Sequence, residues 1–263
     1  MPFEQSHDIR FFTFNNLSHA GVTHAVFTRN GGLSPKPWAS LNVGGTVGDK
    51  PERVYANRVR SFLAIDKNPS SIFDVWQVHG SEVVCAANPR PPNLPHLKAD
   101  TILTDNPKVT LFMRFADCVP VLLFDPTQRV VGLVHAGWQG TIRGALIAAI
   151  DRMVKNYGCL SENILAAIGP SIGPDHYQVG SDVAEQVKKV FGGKANGILL
   201  RRNGTYHFDL WRANCLLLER SGVQKIEVSE ICTACHLEDW YSYRAEKGRT
   251  GRFGAVIALS NSS

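Results

Sequence analysis

Apolar residues gather in short dense runs through the first half of the chain and take up a helical period only beyond residue 138. The runs VTHAVFT (22–28), IFDVWQVHG and SEVVCAA (72–87), ADTILTD (99–105), VTLFMRFADCVPVLLFD (109–125) and VVGLVHAGW (130–138) read as strands. The last is apolar almost throughout, as expected of a strand buried on both faces. In TIRGALIAAIDRMVKNYG (141–158) the positions Ile142, Leu146, Ala149, Ile150 and Met153 form one helical stripe, and Gly158 supplies a stop. Helices are also expected over SDVAEQVKKVF (181–191) and DLWRANCLLLERSG (209–222), with late strands in KIEVSEICT (225–233) and GAVIALS (254–260). The proline-rich NPRPPNLPHLK (88–98) is too short for a domain boundary and reads as a surface loop. Grouped strands with later intervening helices predict a single α/β domain of layered sheets over residues 1–263.

Composition narrows the partners. Hydrophobic residues make up 44% and charged residues 19% of the 263, an ordinary globular balance. The net charge of +5 is scattered, which suits a small anionic substrate better than nucleic acid. The six cysteines are too sparse for a disulfide scaffold. MPFEQSHDIRFFTFNN lacks the parts of a signal peptide, and no run reaches membrane-spanning length. The expectation is a reduced cytoplasmic protein, a monomer or weak dimer without membrane or nucleic-acid partners.

Three side chains place metal-ligand atoms at apparent strand ends: His79 in QVHG, Cys118 in ADCVP and His135 in VHAGW. Two imidazoles and a thiolate suit Zn²⁺ with a fourth position open, and the same set suits copper. Separations of 39 and 17 residues match no local metal motif, and each residue alone reads more readily as core than as ligand. Placement beside Gly or Asp at strand ends favours the site reading. After His135, Gly137, Gly140 and Thr141 lead into a helix start that could meet an anion, with Arg143 in its first turn. Arg29, Arg58, Arg244, Arg249 and Arg252 could complete such a site, although each alone reads as a surface charge. ICTACH (231–236) contains the string of a haem attachment site or a redox pair. Nothing directs export, and no second axial ligand is nominated, so haem is set aside.

TRNGG, SLNVG, ANR, QVHG, ADCVPVLLFDP, VHAGWQGT, AAIGPSIG, YQVG, DLWRAN, ICT, YSYR and TGR occur in one order from about residue 28 to 252. Together they resemble the YfiH-type, laccase-domain family of purine nucleoside phosphorylases, formerly labelled multicopper polyphenol oxidases. The resemblance implies a catalytic metal centre of His79, Cys118 and His135, usually holding zinc, with copper as the alternative. It implies phosphorolysis of adenosine, inosine and 5′-methylthioadenosine, and adenosine deamination at the same site. It also implies that the ICT segment is a structural or pocket-edge strand before the YSYR arginine, leaving Cys235 and His236 at most an adventitious hold on metal. Gln139 departs from the basic residue common in the family. Arg29, Asn42, Arg58, Gln77, Asp117 and Arg244 are the candidate substrate-binding residues. Of these, Arg58 and Arg244, with the helix start after Gly140, are candidates for phosphate, and Asp117 for moving a proton or orienting a ligand. Three other classes stay open: a copper-dependent polyphenol oxidase, a Cys–His hydrolase or amidase acting on cell-wall peptide precursors, and a non-catalytic metal-stabilised module. Nine scattered histidines are few for a multicopper oxidase.

Overall fold

A computed structural model of the protein describes residues 3–260. Two six-stranded sheets carry the fold. One runs in the order Phe3–Ser6, Ile9–Phe12, Thr23–Phe27, Phe253–Ala258, Thr110–Phe115, Ile72–Phe73. The other runs Lys225–Val228, Leu165–Ile168, Val119–Asp125, Val130–Ala136, Thr101–Thr104, Val83–Cys85. Most pairings are antiparallel, with parallel pairs toward the edges. A small three-stranded sheet, Gln178–Val179, Thr205–Phe208 and Leu199–Arg202, lies apart.

Alternation along the strands builds the layers. In Val119–Asp125, Val119, Val121 and Leu123 join the core that holds Leu146, Ala149, Ile150 and Met153, while Leu122 and Phe124 join Leu111, Met113, Phe115, Ala255 and Ile257 between the two large sheets. Successive side chains point to opposite faces, so this strand and its partner Val130–Ala136 are buried on both sides. On the outer face of the first sheet, Phe112, Val256, Ala25 and Phe27 pack with Phe62 of the helix Pro51–Leu63. The order of layers is helices, sheet, sheet, helix.

Several expected elements hold with changed limits. The 109–125 run is two strands, because Asp117 takes φ +84 and turns the chain between them. The helical stretch is likewise divided, into Trp138–Ile142 and Ala145–Tyr157, where Gly144 adopts φ +78; Gly158 at φ +70 ends the second piece. Ser181–Phe191 is the helix expected there, and Asp209 caps Leu210–Arg220 by accepting the Arg212 N–H at 2.9 Å. Two expected strands are shorter than the patterns implied. IFDVWQVHG pairs only at Ile72–Phe73 and through a bridge at Trp76, because the N–H groups of Val78, His79 and Gly80 donate to a side chain instead of a neighbouring strand. KIEVSEICT ends as a strand at Val228, and Cys232 makes only an isolated bridge to Ser171 before the chain turns. Among the described residues, no helix is long and apolar enough to cross a membrane.

Candidate metal centre

His79, Cys118 and His135 meet. Their ligand atoms all lie within 4.8 Å of one another, and the two imidazole centroids are 4.9 Å apart with the rings edge to face. His135 comes from the end of the buried strand Val130–Ala136, Cys118 from the turn after Asp117, and His79 from an exposed turn at φ +57.

A fourth residue, absent from the sequence-level candidates, binds these parts together. The buried carboxylate of Asp100 accepts the N–H groups of Val78 (3.1 Å), His79 (3.0 Å) and Gly80 (2.6 Å). It also accepts His135 Nδ1 at 2.7 Å, while the Asp100 carbonyl accepts the His135 backbone N–H at 2.8 Å. Burial raises the Asp100 pKa, but these donors outweigh it and hold the carboxyl below its ordinary value. With Nδ1 committed to Asp100, Nε2 of His135 is the nitrogen free to bind a metal. An Asp before an apolar strand ordinarily reads as a turn residue, so ADTILTD gave no signal of this role.

The thiol and imidazole are charge-paired. Burial raises the Cys118 pKa, but His135 and the hydrogen bonds from both histidines bring it down to about 6. Burial lowers that of His135, and the Cys118 thiolate with Asp100 carries it up to about 9. A thiolate is the form a metal needs. Gly137 makes the close approach possible: a Cβ there would lie 2.8 Å from Cys118 Sγ and 3.3 Å from His79 Cδ2. The donor set, its orientation by Asp100 and the room left by Gly137 all fit a three-ligand metal site of the kind that takes zinc or copper.

The remaining candidates divide. Asp117 holds the backbone turn: Oδ1 accepts Thr233 Oγ1 (2.7 Å), Oδ2 accepts the Arg244 N–H (2.7 Å), and its carbonyl accepts the Ile172 N–H (2.9 Å). Burial raises its pKa despite those bonds. Arg244 lies 5.1 Å over the Tyr177 ring and donates to the Gln178 carbonyl at 2.8 Å. Arg29 stacks on Tyr241 at 4.4 Å, pairs with Glu246 at 3.2 Å and donates to the Ala39, Leu237 and Trp240 carbonyls. Asn42 is buried between Gly44, Asp49 and Arg252, and Gln77 exchanges hydrogen bonds with Arg114. These three are engaged by other protein atoms. Arg58 donates twice to the Val43 carbonyl and joins Arg90, Arg114 and His96 around the buried carboxylate of Asp74. Three guanidiniums thus share one carboxylate. Burial brings the Arg114 pKa down to about 10, with Asp74 opposing and the other two cations assisting.

Two residues whose charges couple to Cys118 lie outside the six substrate-binding candidates, although Arg252 is among the arginines considered for an anionic site. Arg252 feels the charges of Cys118 and Asp117 while burial lowers its pKa, and Tyr177 is raised by burial and then by Cys118. Arg143 donates to the His79 carbonyl at 3.0 Å. With Gln139, Trp138, Ile142 and Gln186 it lines a cavity of about 250 Å³. His236 faces Glu238 at 3.1 Å.

Fold and site define a layered α/β protein carrying a His–Cys–His constellation capable of holding a metal. The chain belongs to the YfiH-type family, whose model, described as multi-copper polyphenol oxidoreductase laccase, matches residues 23–260. A purine nucleoside phosphorylase of Deinococcus radiodurans is 40% identical over 238 residues, covering 90% of this chain and 89% of that protein. Purine nucleoside phosphorylase YfiH of Escherichia coli K12 is 34% identical, covering 91% and 94%. The crystal structure of YfiH from Bacillus licheniformis superimposes with a TM-score of 0.91 at 30% identity, covering 98% of this chain and 99% of that one.

Gly137 has φ −70, which alanine tolerates, so a Gly137→Ala variant tests crowding alone. Zinc affinity by competition titration is expected to fall roughly 10-fold or more. Asp74→Asn leaves three guanidiniums without their carboxylate, and urea unfolding at pH 7 should show a loss of about 3–5 kcal/mol. The folded Asp74 pKa is depressed, burial notwithstanding, chiefly by Arg114 and Arg90. Its contribution is therefore present above the unfolded value of about 3.9 and lost as pH falls below it. The variant's stability should change less with pH in that range.

Proposed function

We propose that this protein is a zinc-dependent purine nucleoside phosphorylase acting on adenosine, inosine and 5′-methylthioadenosine, with adenosine deamination at the same site. The observation that carries the reading is the His79–Cys118–His135 constellation oriented by Asp100, in a chain whose relatives are named purine nucleoside phosphorylases. Two imidazoles and one thiolate make a three-ligand set with an open position, which suits a catalytic zinc; copper takes the same donors, and metal analysis of the purified protein separates the two. When bound, the cation would supply Lewis-acid polarisation of a substrate atom.

The chain's own residues have separate tasks. Trp76 and Val78 precede His79 in the chain and are 50% and 37% exposed, so they would offer apolar surface to a purine ring. Arg58, Arg244 and Arg252 would hold phosphate: surplus cationic charge surrounds Asp74, and Arg244 and Arg252 lie over aromatic rings beside the centre. Phosphorolysis passes through an oxocarbenium-like state, so these residues would align the phosphate oxygen with C1′ and stabilise the departing base. Asp117, with both oxygens accepting hydrogen bonds, would position Cys118 rather than carry protons. Gln139 borders the cavity beside the helix start, and a neutral side chain there would weaken phosphate binding relative to a basic one. All six cysteines are free, which supports a reducing, cytoplasmic setting.

A second reading has its own observation. Cys118, His135 and Asp100 are arranged in the order nucleophile, base, orienting carboxylate, as a Cys–His hydrolase requires.

Incubating the metal-analysed protein with adenosine, with and without phosphate, separates the readings. Adenine is expected only with phosphate, together with inosine formed independently of it, and both should fall at least about 100-fold in Cys118→Ala. Absence of either purine product, with a covalent adduct trapped on Cys118 in metal-free protein, would establish the hydrolase instead.

A further inference from the structure

A second group of ligand-type side chains converges away from the first. His176, Cys232 and Cys235 each present one atom, and all three atoms lie within 4.8 Å of one another. His176 Nδ1 is 3.8 Å from Cys232 Sγ and 3.5 Å from Cys235 Sγ. Tetrahedral zinc, with bonds of about 2.3 Å to sulfur and 2.0–2.1 Å to nitrogen, sets sulfur and nitrogen ligands about 3.6 Å apart. The geometry already has that spacing.

Local backbone structure builds the group. The N–H groups of Cys235 and His236 both donate to the Cys232 carbonyl at 3.2 Å, closing the turn between the cysteines. The Gly173 N–H donates to the buried Cys232 sulfur at 3.2 Å and fixes its direction. A side chain at Gly173 would crowd that sulfur, since a Cβ would lie 3.1 Å from Cys232 Cβ and 3.3 Å from Sγ. The His176 N–H is tied to the Gly173 carbonyl at 3.1 Å. Neither cysteine is in a disulfide.

We propose that His176, Cys232 and Cys235 form a second, structural site for a thiophilic divalent cation, zinc foremost. His176 and Cys235 are exposed, so the ion enters from the surface and solvent takes the fourth position. The imidazole comes from 56 residues before Cys232, not from the adjacent His236. The site bears on the first centre through Thr233, between the two cysteines, whose Oγ1 donates to Asp117 at 2.7 Å. A cation fixing this turn steadies the positive-φ residue from which Cys118 projects.

The test uses the full chain, prepared under reductant, loaded with Zn²⁺ or Co²⁺ and freed of loose metal by gel filtration. Cys118→Ala removes a ligand of the first centre, and His79→Ala, an exposed position, repeats the removal with little risk to folding. In both backgrounds one equivalent is expected to remain, with thiolate-to-cobalt charge-transfer absorption. Adding Cys235→Ser or His176→Ala should weaken that equivalent at least about 100-fold. The difference between wild type and the single variants reports the first centre separately. No retained equivalent in either background would overturn the proposal. So would an equivalent that survives both second substitutions, or a Cys232–Cys235 disulfide in the reduced preparation.

Discussion

Four donors converge on the carboxylate of Asp100: three consecutive backbone N–H groups from one turn and the imidazole of His135. Two carboxylate oxygens offer about four accepting positions, so this set leaves little capacity unused. A buried carboxylate is costly without such partners, and here the partners are the segments that present two of the candidate ligands. The same interaction that satisfies the charge therefore sets the distance between His79 and His135 and the tautomer of His135. It also removes the QVHG segment from the sheet, because N–H groups given to Asp100 cannot serve a strand ladder.

The third ligand depends on backbone conformation. Asp117 at φ +84 and His79 at φ +57 occupy a region that costs of order 1–3 kcal/mol for such residues. Bonds from Thr233, Arg244 and Ile172 hold Asp117 there, and Asp100 holds His79. His79 and Cys118 thus sit on or beside strained residues fixed by groups distant in sequence, whereas His135 is held in a regular strand. Cys118 then needs free space opposite it, which Gly137 leaves. The Asp74 cluster adds a buried cationic layer, joined to the QVHG segment through Gln77 and Arg114.

Much of the fold was legible because the doubly buried strands Val119–Asp125 and Val130–Ala136 must be apolar on both faces, and the helices after them carry one stripe each. The three residues that converge, His79, Cys118 and His135, were candidates in the sequence through strand-end placement and family motifs. Asp100 was not, since a carboxylate accepting backbone N–H groups is indistinguishable in sequence from one that turns a loop. His176 was hidden for a related reason: CTACH supplies its own neighbouring histidine, and only the fold shows His236 turned to Glu238 while His176 arrives from another segment. Arg29, Asn42 and Gln77 carry polar groups in motif positions, yet each is engaged by protein atoms; side-chain type alone does not report that engagement.

The most direct test of the account is the zinc affinity of Asp100→Asn, measured by chelator competition alongside its circular dichroism and melting temperature. An amide keeps the shape but loses the charge and half the accepting oxygens. The account predicts a folded protein whose zinc binding is weaker by about 10- to 100-fold. Unchanged affinity in a folded variant would contradict it, because the ligands would then be held in place without the carboxylate.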